Sequence, residues 1–232
     1  MILYKKDSYE KLRYKFNSSE SIIENFSQAY QDMFVLSMLN GKKEGTYLEI
    51  GAMDAKFISN TYLLEKQFNW SGISVDIHDV SRKSFLKEWR KNKIVIQDAL
   101  TIDYNKLFEQ NNLPHQIDYL QLDIEPQAQT LECLKKLPLD TYRFSVITYE
   151  TDYYDPSVSR EASKRNRDES RKIILSHGYE LVVGNIANLS KNDPFEDWYI
   201  DPAVIDKNIV KIFKDSPEFD NTSESYMLKN DL

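Results

Sequence analysis

Three observations predict an α/β fold with a mostly parallel, seven-stranded sheet, helices on both faces and a terminal antiparallel strand pair. Five short apolar runs with strand character alternate with helix-length stretches, an order that gives right-handed crossovers between parallel neighbours. Each of the five ends on or beside an acidic residue: Glu49, Asp76, Asp98, Asp123 and Glu150. Two further runs, Tyr179–Ala187 and Phe195–Ile200, are separated only by the polar turn Ser190–Pro194, as antiparallel neighbours are.

Along the chain, residues 1–26 are polar and weakly periodic and read as an N-terminal extension. From Ala29 to Leu39 apolar residues recur at helical spacing, with Ser27 as the N-cap and Asn40-Gly41 closing the helix. Tyr47, Leu48 and Ile50 make the first strand. It runs into Gly51, whose conformational freedom suits a tight turn with a ligand close to the backbone. The polar segment Asp54–Asn60 opens into a helix over Thr61–Phe68. Strands are expected at Gly72–Asp76, Lys93–Asp98, Ile117–Asp123 and Phe144–Glu150, with helices at Ser81–Lys91, Asn105–Asn111 and Gln127–Leu137. Asp155–Arg171 reads as a charged loop entering a helix that closes at Gly178. The main domain is therefore 27–202, followed by a polar, at most partly helical tail over 203–232.

The bulk numbers fit one soluble domain. The 232 residues are 41% hydrophobic and 29% charged, a balance that excludes wholesale disorder. The net charge of -7 removes the broad attraction that drives nucleic-acid or anionic-membrane binding. A single cysteine, Cys133, makes no internal disulfide and reads as a buried helix residue. Charge enters within a few residues of Met1, so no signal-peptide core is seen, and no run approaches the ~18 apolar residues of a membrane span. The expectation is a cytoplasmic protein.

Chemistry concentrates at the strand ends. A carboxylate there can simply cap the following helix, for about 1 kcal/mol each, and for any single residue that reading is as good as a functional one. Five at corresponding ends line one crevice and favour a ligand with several hydroxyl and amine donors. The first turn, Gly51-Ala-Met-Asp-Ala55, lacks the Gly-x-Gly-x-x-Gly that seats a pyrophosphate and carries an acid in its place. NAD and FAD are thereby disfavoured. A cationic-sulfur zwitterion such as S-adenosylmethionine suits an acidic loop, with Asp76, 27 residues after Glu49, spaced to take the ribose diol and Asp98-Ala99 to meet adenine.

The chain resembles the FkbM-like family of class I S-adenosylmethionine-dependent methyltransferases over roughly Ser27 to Pro202. The motifs are Ser27-Gln-Ala-Tyr-Gln-Asp32, Glu49-Ile-Gly-Ala-Met-Asp-Ala55, Ser59-Asn-Thr61 with Leu64-Glu65, Trp70-Ser-Gly-Ile-Ser-Val-Asp76, Gln97-Asp-Ala99, Leu122-Asp-Ile-Glu125 and Phe195-Glu-Asp-Trp198. The resemblance implies the Rossmann-like class I methyltransferase fold. It implies that Glu49, Gly51, Asp54 and Asn60 hold the methionine end, Asp76 the ribose and Asp98 the adenine. Gln28, Ala52, Ile77, Ala99 and Asp123 complete the expected cofactor-binding set. Two departures stand out: the family loop usually ends in glycine where this chain has Ala55, and Glu125-Pro126 replaces the usual Glu-Gly.

Methyl transfer is an in-line displacement at an activated carbon, so positioning dominates, with a base added for a hydroxyl acceptor. Asp123, Glu125 and Glu150 are the candidate catalytic bases; helix-terminal charge is the plainer reading of Glu125. Asp123, Glu150 and Asp152 could instead ligate Mg2+ or another divalent cation. His78 is expected to pack on adenine or face water, and Trp70, Trp89 and Trp198 to be packing residues. The expected activity is O-methylation of a hydroxyl, with a sugar or glycan precursor as acceptor by resemblance and a homodimer allowed. The rivals are a non-catalytic Rossmann-like binding domain, favoured by Ala55 and Glu125-Pro126, and a nucleic-acid methyltransferase, disfavoured by charge.

Overall fold

The computed structural model describes residues 6–151, 153, 158–187, 194–214 and 222–229. Seven strands, β1 (Thr46–Ile50), β2 (Ser71–Asp76), β3 (Lys93–Ile96), β4 (Gln116–Leu122), β5 (Arg143–Glu150), β6 (Glu180–Ala187) and β7 (Pro194–Ile200), form one sheet. Their order is β3-β2-β1-β4-β5-β7-β6, parallel except where β7 pairs antiparallel with both β5 and β6. The helices are α1 (Gln31–Met38), α2 (Tyr62–Phe68), α3 (Asp79–Lys87), α4 (Tyr104–Gln110), α5 (Gln127–Leu134), α6 (Arg160–Ser176), α7 (Lys207–Lys214) and α8 (Ser223–Met227). No described helix is long and apolar enough to cross a membrane.

Alternation along the strands makes two cores. The register Tyr47, Tyr119, Val146, Ile200 runs across β1, β4, β5 and β7 and faces α1 and α7. The next row, Leu48, Leu120, Ile147, Tyr199, faces the opposite side. The same alternation continues to the carboxyl ends of the parallel strands. Glu49 lies beside Gln121, and two residues on come Asp123, Glu150 and its direct partner Glu196, all on the face covered by α1. The acidic cluster is thus a consequence of strand register.

Several boundaries differ from the sequence reading for identifiable reasons. Ser27 is not at the N-cap position of α1, although its hydroxyl accepts from the Asp32 amide at 3.4 Å; the fully buried carboxylate of Asp32 gathers the amides of Phe26 and Ser27 and the Ser27 hydroxyl at 2.9, 3.2 and 2.6 Å. Tyr30, at φ 63°, precedes the helix instead. The charged run after residue 159 is helical from Arg160, with the Ser159 hydroxyl accepting from the Ala162 amide. The described part of the tail includes a strongly amphipathic α7, which buries Ile209, Val210 and Phe213, the last edge-on to Phe34 of α1. Leu12 bridges to Leu228, so the segment before α1 and the tail pack into one core. Ser190 to Asp193 of the expected turn between the last strands lie outside the described residues. Trp70 and Trp198 are buried as expected, whereas Trp89 is 82% exposed at φ 52° just beyond α3. Cys133 is buried in α5 against the Tyr104 hydroxyl.

Candidate active site

At the carboxyl ends of β1, β2, β4 and β5 lies a cavity of about 250 Å³, closed on one side by the segment entering α1. The turn that opens it depends on Gly51. Its φ is +90°, and a Cβ there would lie 1.6 Å from the Asp123 carbonyl oxygen, so no other residue fits without moving the end of β4. The left-handed positions in the following loop are Met53 and Ile58, at φ 45° and 54°. Ala55 is not among them and is fully buried beside Ala52 and Phe85, so alanine in place of glycine strains nothing.

The loop is anchored from below by Arg90. Its buried guanidinium pairs with Glu65 at 2.5 Å and donates to the Ala55 carbonyl at 2.7 Å, the Thr61 hydroxyl at 2.8 Å and the Tyr47 hydroxyl at 3.1 Å. Thr61 in turn donates to Glu49 at 2.9 Å, and Ser74 to the other Glu49 oxygen at 2.6 Å. Burial pushes the Glu49 carboxyl above its usual range, an effect that the nearby Arg90 charge opposes.

Of the residues expected to bind cofactor, Gln28, Glu49, Gly51, Ala52, Asn60, Asp76, Ile77, Asp98, Ala99 and Asp123 line the cavity. Asp76 is fixed by the amides of Met53 and His78, both at 2.7 Å. Asp98 both lines the cavity and caps the 3-10 turn Ala99–Thr101 by accepting from the Leu100 amide, so the two readings of that residue coexist. Asp54 stands apart. Its carboxylate is turned into its own loop, accepting from the amides of Lys56 and Phe57 and from the Ser84 hydroxyl, and it borders a separate shallow groove. Burial raises its pKa, but those hydrogen bonds outweigh it and hold the group below the usual range.

The candidate bases Asp123, Glu125 and Glu150 also line the cavity. Asp123 and Glu150 are hydrogen-bonding neighbours at the cavity wall. Burial raises Asp123 above its usual range, partly offset by that bond. Glu125 is exposed on the loop into α5. For a metal, Asp152 lies outside the described residues, and among the described residues no group of three His, Cys, Asp or Glu side chains is arranged to hold an ion. His78 is exposed at the mouth.

Residues not assigned a role from the sequence complete the walls. Gln31, Gln121 and Glu196 line the cavity while almost fully buried. Glu196 accepts from the Gln31 side chain at 2.8 Å and from the Trp198 indole N–H. Burial, with Asp123 and Asp197 adding negative charge nearby, lifts Glu196 to about 8. Gln31 and Glu196 sit inside the motifs Ser27–Asp32 and Phe195–Trp198, but a contact spanning 165 residues leaves no local trace. Among the described lining residues are seven carboxylates (Glu49, Asp76, Asp98, Asp123, Glu125, Glu150 and Glu196) and no lysine or arginine. The buried side-chain oxygens of Asn60 and Gln121 have no hydrogen-bond donor among the described residues. The described lining is therefore rich in acceptors and offers no cationic side chain to a phosphate.

No family model matches the chain, and no curated protein matches it by sequence. Its structure resembles a provisionally assigned caffeoyl-CoA O-methyltransferase from Staphylococcus aureus, with TM-score 0.51 and 16% identity over 74% of this chain and 82% of that one. A provisionally assigned rRNA methylase from Clostridium thermocellum superposes with TM-score 0.49 at 12% identity, covering 73% of this chain and 94% of that one. Fibrillarin from Aeropyrum pernix, with natively bound S-adenosyl-L-methionine, gives 0.45 at 13%, over 75% and 76%. At such identities the likeness establishes the fold, which is the Rossmann-like fold of class I methyltransferases.

Proposed function

We propose that this chain is an S-adenosylmethionine-dependent O-methyltransferase acting on a hydroxyl, with a sugar or glycan precursor as the acceptor. One observation carries the reading: a cavity at the strand ends lined by seven carboxylates, with no lysine or arginine among its described lining residues. Such a wall attracts a ligand bearing cationic centres and repels a diphosphate. The donor-seeking oxygens of Asn60 and Gln121 fit an ammonium, and Asp76, at the end of β2, fits a ribose diol.

When bound, S-adenosylmethionine supplies a methyl group activated by positive sulfur, so that displacement leaves positive charge and a proton on the acceptor oxygen. The chain's residues divide accordingly. Asp76 and Asp98 orient the adenosine end, while Glu49, Asn60 and Gln121 surround the amino-acid end. Asp123, Glu150 and Glu196 form a separate group at the ends of β4, β5 and β7, suited to an oxygen that becomes positive and to its proton. A neutral polyol meets only hydrogen-bond acceptors there, whereas a nucleic-acid backbone meets like charge.

The test is calorimetric titration with S-adenosylhomocysteine, followed by methyl-transfer assays on a panel of neutral glycosides and on RNA. Binding that weakens about tenfold or more in Asp76→Ala supports the assignment, as a charge-assisted bond is worth ~1.5–3 kcal/mol. Full affinity in that variant, or methylation of RNA in place of the glycosides, contradicts it.

A further inference from the structure

The Phe195-Glu-Asp-Trp198 segment places a buried carboxyl group at the cavity wall. Glu196 is 4% exposed, lies directly opposite Glu150 across the β5–β7 ladder, and reaches the cavity wall. Its neighbouring charges are unfavourable: Asp123 at the end of β4 and Asp197 next in the chain, the latter bound by Arg171 at 2.8 Å. Among the described residues, the other titratable groups facing it are Glu150 and the Tyr119 phenol of β4. A buried carboxyl without a cation costs several kcal/mol by the usual order of magnitude.

Its orientation is nevertheless tightly fixed. The Ala29 amide donates to the Gln31 side-chain oxygen at 2.7 Å, which forces the Gln31 NH2 toward Glu196. The Trp198 indole N–H is a donor only, and that ring is locked by stacking on Phe34 at 4.4 Å. Each Glu196 oxygen accepts one of these two bonds and keeps a second lone-pair direction. The Asp123 carboxyl, by contrast, is engaged with that of Glu150.

Taking the methyl-transfer reading as given, we infer that Glu196 is the carboxylate that removes the proton from the acceptor hydroxyl, with Gln31 and Trp198 as its positioning residues. The acceptor O–H bond breaks toward a Glu196 oxygen, and the electron pair of the acceptor oxygen forms the new O–CH3 bond. The C–S bonding pair stays on sulfur, and Glu196 then returns its proton to solvent. A carboxyl held near 8 is matched to proton abstraction at neutral to mildly basic pH.

The experiment needs no acceptor. The full chain is titrated calorimetrically, across neutral and mildly basic pH, with S-adenosylhomocysteine and with sinefungin, the analogue carrying a primary amine where the methyl would be transferred. An ionised Glu196 beside that amine makes sinefungin at least about tenfold the tighter ligand. The advantage grows as pH rises toward about 8 and then levels. Glu196→Gln abolishes the advantage and leaves S-adenosylhomocysteine binding within about threefold, which also shows that the variant folds. Gln31→Leu moves the midpoint to higher pH, because the lost N–H favoured the ionised form. Sinefungin with no advantage in the wild type, or with its advantage intact in Glu196→Gln, overturns the inference. An unmoved midpoint in Gln31→Leu does so too, and that variant decides the matter if Glu196→Gln does not fold. Wild-type protein that fails to bind S-adenosylhomocysteine overturns the methyl-transfer reading instead.

Discussion

Replacing Arg90 with methionine keeps most of the buried stem and removes only the guanidinium. In the native chain that group is wholly inaccessible and bonds Glu65, the Ala55 carbonyl, Thr61 and Tyr47. Burial opposes its charge, yet the surrounding Tyr47, Glu49 and Glu65 raise its pKa, so it stays cationic. After substitution Glu65 keeps the Lys91 amide and the Asn92 side chain but loses its counter-ion. Breaking one side of a buried pair costs about 3–5 kcal/mol. For a chain of this size that corresponds to a fall in Tm of about 6–20 °C. Urea denaturation at constant slope gives the loss directly, and Arg82→Met is the control. Arg82 and Asp79 are 52% and 60% exposed in their ion pair, so removing it costs less than about 1 kcal/mol. S-adenosylhomocysteine affinity also drops in Arg90→Met, because Arg90 holds the loop that carries Asn60 and the hydroxyl bound to Glu49. A loss under about 1 kcal/mol for Arg90→Met refutes the anchoring role.

Gly51→Ala combines a left-handed backbone with a Cβ driven against the Asp123 carbonyl. It lowers stability by at least about 1–2 kcal/mol in urea titrations and abolishes S-adenosylhomocysteine binding. Ala55→Gly, which restores the glycine usual in the resembled family, gains nothing. It costs about 0.5–1 kcal/mol, because the position is buried and does not need a positive φ. Stability also depends on pH in an unusual direction. Burial raises Glu196 from 4.5 to about 8. Between those values the folded chain therefore keeps a proton that the unfolded chain releases. This contribution is complete below the unfolded value and is lost as pH rises through about 8, a trend that Asp32, Glu49 and Asp123, also raised by burial, reinforce at its acidic end. Urea midpoints that fall with rising pH in the wild type, with a shallower fall in Glu196→Gln, are the expected result.

The sequence carried the architecture because its signals were local. Short apolar runs marked the strands, and helix-length gaps implied crossovers, so all seven strands lie where they were expected. The acids at the strand ends were also visible, since strand ends map to one crevice in this topology. Asp54 shows where local reading stops: an acid in the right loop is occupied by its own backbone, which spacing alone does not reveal. Arg90 and Glu65 lie 25 residues apart, and Gln31 and Glu196 165 apart, so their pairings exist only after the sheet has formed. The packing of α7 was hidden for a related reason. The apolar stripe of α7 is short and flanked by charge, and it becomes helical against Phe34.

On the proposed function, the acidic cavity selects a cationic adenosyl ligand over a diphosphate. Side-by-side calorimetric titration with S-adenosylmethionine and NAD+ tests it most directly. Saturable binding of S-adenosylmethionine in the micromolar range and none of NAD+ is the expected result. Binding of NAD+, or of neither ligand, contradicts it.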